Sequence, residues 1–152
     1  MPLIFKRPRF DPLAERLRRL QGGLPRKAAA GAIRDELELL IDEQFDRRAA
    51  PDGTPWAPRK QPTGRWPLLE KTGRMRRRYH VTATTTGVKV ENSQDYAGYH
   101  QTGTPRMVAR PALPSGPLPG AWAARIDRAV TAELDRVLGA GALAPGRRRG
   151  SR

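Results

Sequence analysis

The sequence of 152 residues contains no cysteine and little aliphatic material. Without cysteine, a disulfide scaffold, a thiolate nucleophile and a cysteine zinc site are excluded. Leu, Ile, Val and Phe together make up 28 residues, and the net charge is +14. That combination is close to the composition of disordered chains. A folded part of this chain therefore depends on a few clustered apolar positions, and partners are expected to cover some of its surface.

Long apolar runs are also missing. None approaches the roughly 20 residues of a membrane span, and the first residues lack the roughly 7–15-residue apolar stretch of a secretory signal. We expect no membrane contact. We predict one domain over residues 1–138, because that range holds every periodic segment. Residues 139–152 are mostly Gly, Ala, Pro and Arg, and we predict a disordered Arg-rich tail there.

Two long stretches have the spacing of an amphipathic helix. Residues 25–48 place apolar side chains three, four and seven positions apart, and residues 120–138 do the same. The first stripe is Ile33, Leu37, Leu40, Ile41 and Phe45, and the second is Trp122, Ile126, Val130, Leu134 and Val137. A shorter helix is predicted from Asp11-Pro12 to the glycine pair at 22–23, with Leu13, Leu17 and Leu20 on one face.

Between these helices lies a short β pattern. Residues 79–84 alternate and are β-branched, Thr86-Gly87 marks a turn, and residues 88–91 return. Tyr79, Val81 and Ala83 share the core face, and His80 points to solvent. The sequence therefore predicts an α+β fold, in which a small, mainly antiparallel sheet packs with the amphipathic helices.

Long loops rich in proline and glycine connect these elements. Residues 49–67 contain enough proline to forbid a regular helix or a central strand, and they carry Trp56 and Trp66. Loops of this length are functional or disordered, and buried Trp anchors favour the first. A second proline-rich stretch covers residues 105–119.

The charged residues alternate in blocks along the chain. The helix at 25–48 carries six carboxylates opposite its apolar stripe: Asp35, Glu36, Glu38, Asp42, Glu43 and Asp46. They form either a solvated face or a contact for a basic neighbour. A basic run follows at the start of the first strand, made of Lys71, Arg74, Arg76, Arg77 and Arg78. That run is either a solvated or subunit-facing edge or a phosphate contact, and both interpretations stay open.

Catalytic patterns are sparse. His80 and His100 are the neutral-pH acid–base candidates, and neither Ser93 nor Ser115 lies in a Gly-x-Ser-x-Gly context. Metal-ligand spacing and glycine-rich phosphate cradles are absent from the sequence. We therefore predict no catalytic residue, no metal and no cofactor.

Four short motifs follow one another after Phe45. They are Pro51-Asp52-Gly53-Thr54-Pro55-Trp56-Ala57-Pro58, Leu68-Leu69-Glu70-Lys71-Thr72-Gly73-Arg74-Met75-Arg76, Tyr96-Ala97-Gly98-Tyr99-His100-Gln101-Thr102-Gly103 and Ala109-Arg110-Pro111-Ala112-Leu113. In this order they resemble the phage virion morphogenesis (tail completion) family of tailed bacteriophages and Mu-like prophages. The resemblance spans about residues 30–138 and departs at Ala112, where the family has Phe.

The resemblance implies structural roles for the motif residues. These are Gly53, Trp56, Leu69, Gly73, Tyr96, His100, Gln101, Gly103, Arg110 and Pro111. Gly53 and Gly73 would supply a permissive backbone, and Trp56 would anchor its loop. Tyr96, His100 and Gln101 would tie the second strand to the following turn.

The resemblance also implies a non-enzymatic protein of the virion, assembled in the host bacterial cytoplasm. Its copies would form a ring, a hexamer, between the head connector or adaptor and the tail tube or its terminator. The acidic helix face of one copy would meet basic residues of the next, and packaged DNA could occupy the lumen. A sequence-independent nucleic-acid-binding protein is the alternative. Candidate DNA or subunit contacts are Arg74, Arg76, Arg77, Arg78, Arg147, Arg148 and Arg149.

Overall fold

The computed structural model describes residues 23–61, 64–84 and 87–139. Its elements are α1 (Gly23–Arg47), α2 (Arg74–Arg77), β1 (Tyr79–Thr84), β2 (Gly87–Asn92), α3 (Ala97–Thr102) and α4 (Gly120–Leu138). Helices and one small antiparallel sheet confirm the predicted α+β class. The helix predicted at 11–20 and the tail beyond residue 139 lie outside the described residues.

The core forms where α1 and α4 pack together. Both helices occur where the apolar spacing predicts them, within two residues at each end. Leu40, Ile41 and Phe45 of α1 are buried, and so is the α4 stripe of Trp122, Ile126, Val130 and Leu134, while Val137 is partly buried. Burying each large apolar side chain contributes about 1.5–3 kcal/mol. In the described ranges, no helix has both the length and the apolar character needed to cross a membrane.

The two strands form the predicted antiparallel hairpin. Tyr79 pairs with Asn92, Val81 with Val90 and Ala83 with Val88. Val81 and Val90 are buried on the face that meets α1, whereas His80 is exposed on the other face. An isolated two-stranded hairpin is marginal in water, so packing on α1 stabilises this one. Burial raises the pKa of Tyr79 to about 12, although a hydrogen bond with Asn92 acts in the opposite direction.

Two long loops connect these elements, as their prolines predict. Outside α2, residues 48–61 and 64–78 adopt no regular helix or strand, apart from a single β-bridge between Ala49 and Pro55. A second bridge joins Thr104 and Met107 in the loop between α3 and α4. Both loops return to the core, and their contacts there form the site described next.

Candidate functional site

Trp56 holds the first loop against the core. Its ring is buried and meets the Phe45 ring edge-on, with ring centroids 5.4 Å apart. Its indole Nε1 donates a hydrogen bond of 2.9 Å to the carbonyl oxygen of Pro111. Trp56 therefore bonds the 49–61 loop to the segment 109–113, which lies 55 residues further along the chain.

Arg110 makes the same connection from the opposite side. Its guanidinium is buried, and it donates from Nε to the carbonyl of Ala57 at 2.7 Å and from Nη2 to that of Pro58 at 2.8 Å. Its backbone N–H donates to the carbonyl of His100 at 2.7 Å. A buried charge needs such partners to offset its lost hydration. Arg110 thus joins the first loop, α3 and the segment 109–113.

Gln101 completes this arrangement from α3. Its side-chain oxygen accepts hydrogen bonds from the backbone N–H groups of Ala112 and Leu113, both at 3.2 Å. Its side-chain nitrogen donates to the Leu113 carbonyl at 2.6 Å. Gln101 therefore holds the backbone of the segment 109–113 against α3. Ala112 is fully buried, so the backbone that Gln101 holds has little access to water.

We call Trp56, Gln101, Arg110 and the segment 109–113 the buried clasp. Each of the three side chains uses a polar atom to satisfy backbone groups of a distant loop. Buried backbone polar groups without a partner cost about 1–3 kcal/mol each. The buried clasp therefore fixes two irregular loops where secondary structure cannot.

Tyr96 and His100 stand beside the buried clasp. Their rings contact edge-on at 6.1 Å, and Tyr96 remains partly exposed. Burial, and secondarily the charge of Arg110, lowers the pKa of His100. Its buried Nδ1 has no hydrogen-bond partner among the residues that the structure describes.

The motif glycines occupy left-handed backbone positions. Gly103 has φ +78° and ends α3, and a Cβ there would lie 3.0 Å from the backbone nitrogen of Ala109. Gly73 has φ +63° and precedes α2, where a Cβ would meet the Arg77 guanidinium at 2.6 Å. Gly53 has φ +89° in open space. Leu69, also in the left-handed region with φ +62°, packs against the core.

The acidic face of α1 is engaged inside the chain. Arg76 donates from Nη2 to Asp42 at 2.6 Å and from Nη1 to Asp46 at 2.8 Å and to Glu70 at 3.0 Å. These partners raise the pKa of Arg76, and the Arg76 hydrogen bonds lower the pKa of Asp42. A basic residue of the same chain therefore already pairs with Asp42 and Asp46 of this face, although both side chains remain more than half exposed.

Arg125 of α4 does the same for the other half of the face. It donates from Nε to Glu36 at 2.6 Å and from Nη1 to both oxygens of Glu43 at 2.7 Å. Asp35 pairs with the adjacent Arg34, and Glu38 is exposed. Sequence reasoning missed Arg125. The sequence contained a signal for this contact: Glu36 and Glu43 are seven residues apart and so lie on one side of α1, where one cation can reach both.

The basic run contains a helical turn, α2, directly before the first strand. α2 places Met75 in the core and directs Arg76 to the α1 carboxylates. Arg74, Arg77 and Arg78 are exposed, and Arg77 Nη2 donates to the carbonyl of Thr72 at 2.9 Å. The candidate contacts in this run therefore divide into one arginine facing inward and three facing outward. Arg147, Arg148 and Arg149 lie outside the described residues.

Trp66 differs from Trp56 and corrects the expectation of a buried anchor. It is 37% exposed, and its ring contacts the cations of Lys71 at 5.3 Å and Arg59 at 5.7 Å. Arg59 also donates to the carbonyls of Trp66 and Pro67, both at 2.7 Å. This end of the loop is held by surface cations rather than by the core.

Across residues 23–61, 64–84 and 87–139, no three His, Cys, Asp or Glu side chains group closely enough to hold a metal ion. The arrangement consists instead of irregular loops fixed by buried hydrogen bonds, with a cationic turn beside them. The molecule at this point is a small α+β scaffold that presents ordered loops.

The comparison with known families agrees with this description. The model of the phage virion morphogenesis family matches residues 8–132, so the chain belongs to that family. Its role is structural, in the morphogenesis of a bacteriophage particle, and it is a virion-associated protein. Neither curated proteins nor solved structures gave a significant match.

Proposed function

We propose that this protein is a non-enzymatic component of the head–tail junction that completes the tail and joins it to the head. Its copies would form a ring, a hexamer, between the head connector and the tail tube or its terminator. The single observation that carries the proposal is membership of the virion morphogenesis family over residues 8–132.

The surface around α3 supports contact with other virion proteins. Tyr99 is 59% exposed and Val108 is 52% exposed, on the two segments that Gly103 and Arg110 hold together. Aromatic side chains are enriched where proteins meet. Because the buried clasp fixes the backbone beneath them, these side chains would lose little conformational freedom on binding.

The decisive experiment deletes the gene from the phage or prophage and images the lysate by negative-stain electron microscopy. We expect filled heads separated from tails, and we expect wild-type protein supplied from a plasmid to restore joined particles. Intact, infectious particles from the deletion strain would overturn the proposal. Native mass spectrometry of the purified protein then tests the ring, for which six copies is the expected stoichiometry.

A complementation series with variants distinguishes the loss of a surface contact from the loss of folding stability. A Tyr99→Ala variant removes an exposed ring and should fail to restore joining while it keeps the wild-type melting temperature. Lys89→Ala is the matched control, because Lys89 is exposed on β2 and pairs only with its neighbour Glu91 at 2.6 Å. Equal restoration by both variants would contradict a protein contact at α3.

A sequence-independent nucleic-acid-binding protein is the second candidate, and the cationic side chains of residues 71–78 favour it. Under that function, particles of the deletion strain would be joined and infectious, and this outcome distinguishes it from the junction role.

A further inference from the structure

The short helix α2 and the residue after it carry four arginines, and these arginines do not all face the same way. Residues three and four apart in a helix share a side, so Arg74, Arg77 and Arg78 lie together. Met75 and Arg76 lie on the other side, against the core and the α1 carboxylates. We define the exposed side, Arg74, Arg77 and Arg78, as the α2 basic face.

We propose that the α2 basic face binds the phosphate backbone of double-stranded DNA without regard to its sequence. The proposal deepens the junction role and rests on it for its biological setting, although its test requires only the purified protein.

The carboxylates near the α2 basic face are directed at Arg76. Asp42, Asp46 and Glu70 all accept hydrogen bonds from that one guanidinium, and none of them pairs with Arg74, Arg77 or Arg78. Within the described part of the chain, the three outward arginines form no ion pair with a carboxylate. A phosphate would therefore displace water and counterions rather than an internal partner.

One of the three arginines, Arg77, is held in place by the chain behind it. Arg77 donates to the Thr72 carbonyl and lies over Gly73, which fixes one guanidinium beside the chain. Lys71 lies against the Trp66 ring and extends the cationic surface beyond Thr72. Guanidinium groups bind phosphate oxygens through two parallel N–H bonds, so a preset cluster suits a polyanion.

Duplex DNA suits this face better than a protein partner does. The centre of a protein interface is rich in buried apolar area, whereas this turn is exposed and cationic. Duplex DNA presents one negative charge per about 1.7 Å of axis, which lets all three arginines contact phosphates at once.

The test measures fluorescence anisotropy of a labelled 25-base-pair duplex with the full-length chain over a salt series. The site variant replaces all three residues of the α2 basic face, as R74Q, R77Q and R78Q. The control replaces three arginines of α1 and α4, as R34Q, R128Q and R136Q, and so removes the same charge. Basic residues at both chain ends are present in every variant, and their contribution cancels between the two.

Three lost phosphate contacts lower the slope of log affinity against log salt by about 2–3, because each contact contributes about 0.9. We expect at least a tenfold loss of affinity at 0.1 M salt for the site variant and less than threefold for the control. An Arg76→Gln variant should unfold more easily yet keep the wild-type salt slope, because Arg76 faces inward.

Equal losses in the site and control variants would overturn the proposal, and so would a wild-type chain that does not bind the duplex. A site variant that binds DNA normally but fails to join heads to tails would also overturn it, in favour of a protein contact at this face. The gene deletion tests a different claim. Joined particles from the deletion strain would overturn the junction role but would not contradict DNA binding by the α2 basic face.

Discussion

The buried clasp and the α2 basic face use the same residue type in opposite ways. Arg110 is buried with its charge directed at two loop carbonyls, whereas Arg74 and Arg78 are exposed. Arg76 combines features of both groups. It lies in the basic run of the sequence, but it binds three carboxylates of the same chain. The comparison teaches that the role of an arginine in this chain depends on its surroundings. Where the fold places acceptors near the guanidinium, the arginine is structural; where it does not, the arginine is available to a partner.

The largest expected effect compares the two loop tryptophans. Trp56→Ala should lower the free energy of unfolding by about 3–5 kcal/mol, since it leaves a cavity beside Phe45 and frees the Pro111 carbonyl. Trp66→Ala should cost less than about 1 kcal/mol, because that ring is held by surface cations. Urea denaturation checks both, and similar losses would contradict a clasp that stabilises the core.

Gln101→Leu should cost about 2–3 kcal/mol, because it leaves the backbone N–H groups of Ala112 and Leu113 buried without an acceptor. Gln44→Leu is the matched control. Gln44 is equally buried, but it bonds only the Leu40 carbonyl, one helical turn away in α1. The control should cost less than about 1 kcal/mol by the same measurement. A smaller effect at Gln101 than at Gln44 would show that the clasp bonds are dispensable.

The motif glycines give a smaller contrast. Gly103→Ala should cost about 2 kcal/mol, since the left-handed backbone is strained and the new Cβ would press on the backbone of Ala109 and Met107. Gly53→Ala has the same backbone strain in open space and should cost about 1 kcal/mol. Melting temperatures of the two variants in the same buffer test this order. A larger loss for Gly53→Ala than for Gly103→Ala would show that Gly103 does not support the buried clasp.

The smallest effect concerns the inward side of α2. The pKa of Asp42 is held below its ordinary value of 3.8 by Arg76, so its contribution to stability is complete above that value and is lost as the pH falls through the folded-state pKa. Asp42 is more than half exposed, and solvent screening limits its contribution to about 0.5–1 kcal/mol. The difference between wild type and Asp42→Asn should therefore be constant from pH 5 to 8 and shrink below about pH 4.

A difference that persists at pH 2 would show that Asp42 acts through packing rather than charge. High salt at pH 7 offers a second check, because it should reduce the same difference while leaving the Trp56→Ala loss unchanged.

Periodicity predicted the regular elements well. The stripes that contain Phe45 and Trp122 predicted both long helices, and the alternation around Val81 predicted the hairpin. These signals are local, since a helix or strand with one buried face needs apolar residues at a fixed spacing. The family resemblance was readable for a similar reason, because its motifs are short and occur in order.

The partners of polar side chains could not be predicted in this way. Gln101 bonds residues 11 and 12 positions away, and Arg125 reaches Glu36 and Glu43 across more than 80 residues. No local sequence pattern indicates which residues so far apart along the chain will form a hydrogen bond. The helical turn at Arg74–Arg77 was not predicted either, because four residues are too few to show a helical period before the β pattern at Tyr79.

The sequence alone determined the class of fold, the two helices, the hairpin and the family, because each depends on the order and spacing of side chains along the chain. Only the tertiary structure decided which charges are neutralised within the protein and which remain exposed, which tryptophan is buried, and which loop Gln101 holds. The physical reason is that these outcomes depend on acceptors and apolar surfaces that folding brings together from distant parts of the chain.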